Sequence, residues 1–331
     1  MVRSYLYDQD KIEFSFKQTK EDFIVDEMPL RFTSKGRFLI LKVQKVMLST
    51  WDMISVFARY LNIEQSKIGY GGLKDKYATT TQYISVEARH EKALKKFRYP
   101  KVKILQSFKH NKAIKMGDLL GNCFSINLYD LKENDFYRFE DRANKIVQNG
   151  LVNYFGYQRF GRDQDAISQA KAMVDGDIFI SDKKLKRFLL SLYQSYYFNE
   201  WLNERVLLSN KQNGGEFLLL QGDVYTDETK KLFTPKKALY QELKDKKVVP
   251  TGLLCGRGVF RAFSKAREIE QKYDDPFFVE KGYRREAIIY PKNLKLNYTK
   301  KTQKLNISFC LPKGSYATVF LEAIANRILK V

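Results

Sequence analysis

Alternation of apolar and polar residues near both ends of the chain predicts β-strands. In residues 21–27 apolar and acidic side chains alternate, which is typical of a strand with one buried face. The further predicted strands are residues 38–43, 82–86, 122–128, 287–290 and 304–309. Strands are therefore expected from two separate parts of the chain.

A helical period follows the second of these strands. The apolar residues that share one helix face there are Met53, Val56, Phe57, Tyr60 and Leu61. Ser49 or Thr50 is the expected N-cap of this helix. Further helices are predicted over residues 135–148, 163–174, 183–208, 264–274 and 318–331.

The order of these elements predicts an α+β fold with a discontinuous core. Strands dominate both ends, whereas the stretch near 160–280 is richer in helix. An α+β core built from both ends and interrupted by an inserted domain explains this order. We expect the core to comprise residues 1–154 and 285–331, with a mixed, largely antiparallel sheet and flanking helices. The inserted α/β domain is expected over residues 155–284.

The charge of the chain indicates a polyanionic partner. Its 331 residues include 59 Lys and Arg against 38 Asp and Glu, a formal net charge of +21. Neutralising phosphates with Lys and Arg releases counterions and so favours binding to nucleic acid. A membrane surface is the competing polyanion, but no apolar run is long enough to span a bilayer and no N-terminal hydrophobic signal segment is evident. Nucleic acid is therefore the favoured partner, and we expect no membrane association.

The cysteines and histidines give no sign of a metal site. Cys123, Cys255 and Cys310 are far apart in sequence, and only His90 and His110 accompany them. This spacing does not match known zinc-ligand patterns. We expect three reduced thiols in a cytoplasmic protein, with neither a metal nor a cofactor.

Residues 72–82 are the most informative part of the sequence. Asp75 lies between Lys74 and Lys76 in a glycine-containing turn that leads directly into a predicted strand. Neighbouring lysines are expected to lower the pKa of this carboxyl, and an ionised, fixed carboxylate can act as nucleophile or general base. By itself a Lys-Asp-Lys turn is more often a solvated loop, so the interpretation depends on the other motifs.

Four further segments have the character of functional motifs. They are residues 17–27 (Lys-Gln-Thr-Lys-Glu-Asp-Phe-Ile-Val-Asp-Glu), 117–124 (Gly-Asp-Leu-Leu-Gly-Asn-Cys-Phe), 153–161 (Asn-Tyr-Phe-Gly-Tyr-Gln-Arg-Phe-Gly) and 311–318 (Leu-Pro-Lys-Gly-Ser-Tyr-Ala-Thr). Each also has a purely structural interpretation, since a single Phe is more often a core residue and a single Lys a surface residue. His110 is interpreted as a structural or RNA-facing residue, not as a catalytic base.

Together these segments resemble the motifs of the TruD family of tRNA pseudouridine synthases, in family order over most of the chain. The resemblance implies a pseudouridine-synthase-like core with an inserted TRUD-type domain. It further implies that Asp75 is the nucleophile, that Lys17 pairs with it, and that aromatic and amide side chains contact the target base. Those base-contacting residues are Phe23, Asn122, Phe124 and Tyr316. The residues assigned to contact with the RNA backbone are Lys74, His110, Lys112, Lys115 and Arg159.

The sequence departs from the family pattern at two places. After His110 the family often has a denser basic stretch, whereas this chain has Ala113 and Lys115. Near the C-terminus many members read Arg-Glu-Leu where this chain has Glu322-Ala323-Ile324. The individual phosphate contacts and any role of that arginine therefore do not carry over.

The resemblance implies conversion of uridine to pseudouridine at position 13 in the D arm of tRNA, by a protein expected to be a cytoplasmic monomer. The nucleotide would have to leave its stack before reaction. Two other functions stay open at this point. One is a non-catalytic basic protein that binds or remodels RNA, and the other is a nucleic-acid methyltransferase, which the absence of a Gly-rich cofactor loop disfavours.

Overall fold

A computed structural model describes residues 3–6, 10–17, 19–33, 35–160 and 165–329. The strands are β1 (Ser15–Phe16), β2 (Phe23–Met28), β3 (Phe38–Val46), β4 (Gly69–Tyr70), β5 (Thr79–Glu87), β6 (Val102–His110), β7 (Gly121–Tyr129), β8 (Leu151–Val152), β9 (Val224–Asp227), β10 (Leu232–Phe233), β11 (Val248–Leu254), β12 (Tyr283–Glu286), β13 (Ile288–Ile289), β14 (Lys292–Thr299) and β15 (Lys304–Pro312).

The helices alternate with these strands. They are α1 (Thr50–Leu61), α2 (Glu91–Lys95), α3 (Glu133–Asn149), α4 (Tyr157–Phe160), α5 (Asp165–Asp175), α6 (Lys183–Gln212), α7 (Tyr240–Lys244), α8 (Ser264–Glu270) and α9 (Ala317–Ala325). Short 3-10 helices cover Gln65–Lys67, Ala88–His90, Gln271–Tyr273 and Lys300–Thr302. Within the described residues, no helix combines the length and apolar character that a bilayer span needs.

The chain divides into two units, each built from separate segments. The large-sheet unit comprises Glu13–Glu140 and Pro291–Gly314, and the second unit comprises the described residues of Met1–Ile12, Asp141–Tyr290 and Ser315–Lys330. Both units are discontinuous, whereas the expected insertion was a single continuous segment. Their ends differ from the predicted domain bounds, which stay a prediction.

The large-sheet unit contains a mixed sheet in the order β14-β15-β7-β2-β5-β3-β6, with β1 paired to β7 and β4 to β5. The pairing of β2 with β5 is parallel, and the other pairings in this sheet are antiparallel. This confirms the predicted α+β class and the mixed, largely antiparallel sheet. Strands β6 and β14 lie at the two edges and were not predicted, because edge strands with exposed side chains lack a clear apolar alternation.

Helix α1 buries its apolar face against β3 and β5. Met53, Val56 and Phe57 pack with inward-facing residues of both strands in one core cluster. Ser49 is the N-cap: its hydroxyl accepts from the backbone N–H of Asp52, and the Asp52 carboxylate accepts from the N–H of Ser49. This reciprocal capping box satisfies two N–H groups at the helix start. Tyr60 was expected in the buried face but is exposed, with its hydroxyl donating to the carbonyl of Ala93.

The second unit is organised by α6 and a four-stranded sheet in the order β10-β9-β11-β12. Asp182 caps α6, with its carboxylate accepting from the N–H groups of Lys184 and Leu185. Farther along α6, the buried Arg205 forms two hydrogen bonds to the carboxylate of Asp223, at 2.7 and 2.9 Å. The predicted helices over 163–174 and 183–208 correspond to α5 and α6, although residues 163 and 164 lie outside the described residues.

A disulfide joins two neighbouring strands of the large-sheet unit. Antiparallel pairing of β7 with β15 places Cys123 opposite Cys310, with 3.9 Å between their Cα atoms, and the two sulfurs are bonded. The expectation of three reduced thiols was therefore wrong for these two residues, while Cys255 is free and buried. Sequence separation concealed the pair, because only the strand register brings positions 187 residues apart into contact.

Candidate active site

Asp75 lies in the loop between β4 and β5, and this loop approaches the backbone after β6 closely. The carbonyl of Gly71 accepts a 2.7 Å hydrogen bond from the N–H of Gly117. A Cβ atom at position 71 would lie 3.0 Å from the carbonyl oxygen of Asp118. Glycine at position 71 thus allows the loop to pack where a side chain would force it outward.

Hydrogen bonds fix the backbone on both sides of the Asp75 side chain. The N–H of Lys74 donates to the hydroxyl of Thr50 at 2.9 Å, and that hydroxyl donates to the side-chain oxygen of Gln82 at 3.1 Å. The ammonium of Lys45 donates to the backbone carbonyl of Asp75 at 2.7 Å. Helix α1 and the strands β3 and β5 therefore all contribute to holding this loop.

The carboxylate of Asp75 itself makes neither an ion pair nor a hydrogen bond with the described residues. The residue is exposed as a whole, but protein atoms around the carboxyl displace solvent. This desolvation raises the pKa of Asp75 above its ordinary value, while the charges of Lys45 and Lys74 act in the opposite direction. The expected lowering of this pKa by neighbouring lysines was therefore wrong in its net direction.

The two lysines close to Asp75 are both buried but differ in their partners. The side chain of Lys74 is 6% exposed and lies 2.6 Å from the carboxylate of Glu27, which also accepts from the N–H of Tyr83. Burial raises the pKa of Glu27, and the Lys74 charge opposes this shift. Lys45 is fully buried in β3, and this burial lowers its pKa to about 8.

Polar side chains gather on the sheet face beneath the loop. Strand register places Lys45 opposite Thr80 and Glu27 opposite Asn122, and paired residues of neighbouring strands share a face. Three buried polar atoms on this face have no hydrogen-bond partner among the described residues: Thr80 Oγ1, Gln82 Nε2 and Asn122 Oδ1. Because buried polar groups are usually satisfied, these three atoms are candidates for hydrogen bonds to a bound substrate or to water.

Aromatic rings continue the same face toward β15. The rings of Phe23 and Phe124 lie 6.1 Å apart, and Phe124 stacks on Phe309 at 5.5 Å. Phe23 is 2% and Phe124 is 8% exposed. The structure thus brings Phe23, Asn122 and Phe124 together, with both rings packed into the core.

Lys17 does not provide the charges that act on Asp75. It is exposed directly after β1, and the cations that lower the pKa of Asp75 are Lys45 and Lys74. In the structure the cation next to Asp75 is therefore Lys45, whereas the resemblance implies Lys17. The pairing of Lys17 with Asp75 stays a prediction.

Tyr316 and Arg159 belong to the second unit. Tyr316 precedes α9, and its ring lies edge-on to Phe155 at 6.3 Å. Arg159 donates to the hydroxyls of Ser191 and Ser195 on α6, so its guanidinium is at least partly used inside this unit. Gly161, the last position of that motif, lies outside the described residues.

The C-terminal departure from the family pattern has a structural counterpart in the second unit. Glu322, on α9, is fully buried and forms a 2.9 Å ion pair with Arg3. Burial raises the pKa of Glu322 to about 7, and the charge of Arg3 opposes this shift. The position thus holds a buried carboxylate that is paired within the unit.

The remaining predicted RNA contacts separate into structural and exposed residues. His110 accepts from the N–H of Thr33 at 3.1 Å, and its ring packs edge-on against Phe32. Lys112 and Lys115 are exposed. The burial of Lys74 in its ion pair with Glu27 disagrees with its predicted RNA contact, because a buried and paired ammonium cannot reach a phosphate. Nowhere in the described ranges do three His, Cys, Asp or Glu side chains approach closely enough to hold a metal ion.

Comparison with known proteins decides the family of this chain. The family model described as tRNA pseudouridine synthase D (TruD) matches residues 2–179 and 180–324. The chain belongs to the TruD family. This confirms the resemblance and identifies the chain as a pseudouridine synthase, an isomerase.

Relatives named tRNA pseudouridine synthase D match along their whole length. The protein from a Nitratiruptor species is 38% identical, covering 100% of this chain and 99% of the relative. That from Sulfurimonas denitrificans is 36% identical, with 99% of each chain covered. That from Wolinella succinogenes is 34% identical, with 100% of each chain covered.

A crystal structure supports the fold. The TruD protein of Methanosarcina mazei superimposes with a TM-score of 0.74 at 23% identity, covering 97% of this chain and 95% of that chain. This likeness confirms the predicted pseudouridine-synthase fold.

Motif reasoning missed three residues of the candidate site in this TruD chain. Lys45 and Gln82 occupy buried positions of β3 and β5, and Glu27 is the next-to-last residue of β2. A charged or amide side chain at an inward position is itself a signal, because such groups are rarely buried without a partner.

Proposed function

We propose that this TruD enzyme converts uridine 13 in the D arm of tRNA to pseudouridine, with Asp75 as the nucleophile. The observation that supports this role is that the loop backbone is held by hydrogen bonds while the side chain of Asp75 is not. Thr50 holds the backbone N–H of Lys74 and Lys45 holds the backbone carbonyl of Asp75, whereas the carboxylate of Asp75 has no partner among the described residues. A positioned but unpaired carboxylate is available to a substrate.

The reaction needs a nucleotide that has left its stack. The glycosidic bond between the ribose carbon and the uracil nitrogen breaks, the base rotates, and a carbon of the base forms the new bond. Asp75 acts covalently at the ribose or the base and afterwards assists removal of the proton from the newly bonded carbon, while the ring nitrogen released from the ribose takes up a proton. Since the uracil supplies both atoms of the exchange, no external redox or group carrier is required.

Residues on the polar and aromatic face would hold the extruded base. The unpartnered Asn122 Oδ1 would accept from a uracil N–H, since an amide offers both donor and acceptor to a base edge. Phe23 and Phe124, whose rings are packed in the core, would form the apolar wall behind the base. Tyr316 and Lys17 stay substrate-binding residues that the family resemblance implies.

A basic groove on the large-sheet unit would bind the RNA backbone. A cavity of about 700 Å³ lies beside the end of β3 and the start of β6. The cationic side chains among its described lining residues are Lys95, Arg98, Lys101 and Lys103, and no carboxylate accompanies them. Tyr99, also in the lining, exposes 38% of its surface and could stack on an unpaired base. Lys112 and Lys115, which are exposed on the same unit, would extend these contacts. Arg159 stays an RNA contact that the family resemblance implies.

The same proposal assigns tRNA as the partner, the cytoplasm as the location and a monomer as the active form. The net charge of +21 supports a nucleic-acid partner. Size-exclusion chromatography with light scattering, with and without tRNA, would test the stoichiometry.

The proposed chemistry is tested by Asp75→Asn, with Asp26→Asn as a control because Asp26 is exposed on β2 in the same unit. Pseudouridine would be mapped in tRNA transcripts with uridine or cytidine at position 13, and binding measured on the same RNAs. We expect Asp75→Asn to abolish modification while retaining tRNA affinity, and Asp26→Asn to behave as wild type. Modification by Asp75→Asn, or equal modification of other uridines when position 13 is cytidine, would contradict the proposal. A protein that only binds RNA would show no modification in any variant.

A further inference from the structure

Lys45 occupies an unusual place for a lysine. It is fully buried near the end of β3, between Thr80 of β5 and Val102 of β6 in the strand register. Its ammonium donates to the backbone carbonyl of Asp75 at 2.7 Å. A buried cation is costly unless its interactions are needed, so this contact calls for a functional explanation.

We propose that Lys45 is a positioning residue for the nucleophile, holding the backbone of Asp75 and supplying the positive charge that faces its carboxylate. This inference rests on the proposed role of Asp75. It assigns Lys45 no contact with the substrate, and it differs from the pairing of Lys17 with Asp75 that the family resemblance implies.

Of the two lysines close to Asp75, Lys45 is the one whose positive charge is available to the carboxylate. The other cation close to Asp75 is Lys74, whose charge is largely balanced by Glu27 at 2.6 Å. The groups whose charges act on Lys45 are Asp75, Lys74 and Asp52, and Asp52 is used in capping α1. The cation that is not paired with another carboxylate is therefore Lys45, and its contact to the backbone of Asp75 places it beside the nucleophile.

The protonation of the two groups predicts a bell-shaped pH dependence. Activity requires the ionised carboxylate, whose pKa is raised by desolvation, so activity is lost as the pH falls through that pKa. Burial lowers the pKa of Lys45 to about 8, so its charge is lost as the pH rises through about 8. Replacing Lys45 with an uncharged residue raises the pKa of Asp75 further. The acid limb of the pH–rate profile, on which Asp75 ionises, then moves to higher pH.

The test uses Lys45→Met and Lys45→Arg, with Lys42→Met as the matched control. Lys42 lies on the same strand but on the opposite face, three residues away. Single-turnover pseudouridine formation would be measured from about pH 5 to about pH 10, a range that spans both limbs. The same samples would give tRNA affinity and the thermal unfolding midpoint. Asp75→Asn is included so that failure of the nucleophile assignment is recognised separately.

We expect Lys45→Met to reduce the rate of the chemical step about 10- to 100-fold, the effect of losing a hydrogen bond to a charged group. Its acid limb should move to higher pH while tRNA affinity stays within about twofold of wild type. Lys45→Arg should keep its charge at high pH, so its alkaline limb should move upward by more than about one pH unit. Lys42→Met should match wild type.

Two results would overturn the inference while the nucleophile assignment stands. One is a Lys45→Met enzyme that keeps the wild-type acid limb, whatever its rate, since a purely structural loss would not move that limb. The other is an unchanged alkaline limb in Lys45→Arg, which decides the matter if Lys45→Met does not fold. An active Asp75→Asn enzyme would instead remove the proposed function on which the inference rests.

Discussion

The ammonium of Lys74 lies 2.6 Å from the carboxylate of Glu27, and both side chains are almost completely buried. Lys74 directly precedes the proposed nucleophile, whereas Glu27 lies near the end of β2, so the pair ties the loop to the sheet. A buried ion pair of this kind contributes to structure chiefly because removing either partner leaves an uncompensated charge.

Glu27→Gln should therefore destabilise the protein by about 3–5 kcal/mol, because Lys74 would remain buried without its counter-charge. Denaturant unfolding followed by circular dichroism measures this difference. The double variant Glu27→Gln with Lys74→Met should recover much of the stability. A single variant as stable as wild type would show that the pair does not hold the loop.

Asn122→Ala should lower the activity of the enzyme while leaving its stability almost unchanged. Its side-chain oxygen is buried without a partner among the described residues, so removing it should change the unfolding free energy by less than about 1 kcal/mol. The hydrogen bond proposed to the uracil would be lost, reducing kcat/KM about 10- to 100-fold. Asn127→Ala, on the opposite face of β7, is the control. Unchanged kcat/KM in Asn122→Ala would argue against a contact with the base.

Charge reversal in the basic groove should weaken tRNA binding in a salt-dependent way. Lys101→Glu with Lys103→Glu removes two proposed phosphate contacts, so the slope of log affinity against log salt should become shallower by about 2. Filter binding between about 50 and about 300 mM salt measures the slope. The paired control is Lys295→Glu with Lys301→Glu, in the same unit. Equal losses in both double variants would indicate only a general charge effect.

Reduction of the Cys123–Cys310 bond should lower the stability of the large-sheet unit. A bridge between positions so distant in sequence restricts the unfolded chain, and its loss typically costs about 2–5 kcal/mol. Urea unfolding with and without dithiothreitol measures the difference in unfolding free energy. This difference should disappear in Cys123→Ser and persist in Cys255→Ser. Peptide mapping of the unreduced protein should recover the cross-linked pair, and two free thiols at these positions would contradict the structure.

Much of the fold followed from local pattern. Residues 122–128 were predicted as a strand, and β7 covers them with one further residue at each end. The helix predicted after Ser49 begins at Thr50 with Ser49 as its cap. Strand β6 was missed because both of its faces are largely exposed, so Leu105 and Phe108 do not form a one-sided apolar pattern.

The candidate site was only partly predictable. The motif containing Asp75 could be recognised as a sequence, and so could the segments containing Phe23 and Phe124. The cation that touches the backbone of Asp75 could not, because Lys45 is 30 residues away and contacts it only through packing. The same limit concealed the ion pair that buries Lys74.

The sequence by itself determined the strands and helices with a clear apolar period, the basic charge and the family motifs, since these depend on residue order and composition alone. Tertiary structure decided which charges meet: it buried Lys74 against Glu27, placed Lys45 under Asp75 and joined Cys123 to Cys310. The physical reason is that a side chain's pKa and partners depend on desolvation and on distances of a few ångströms. Those distances are fixed by strand register and loop packing between positions far apart in the chain.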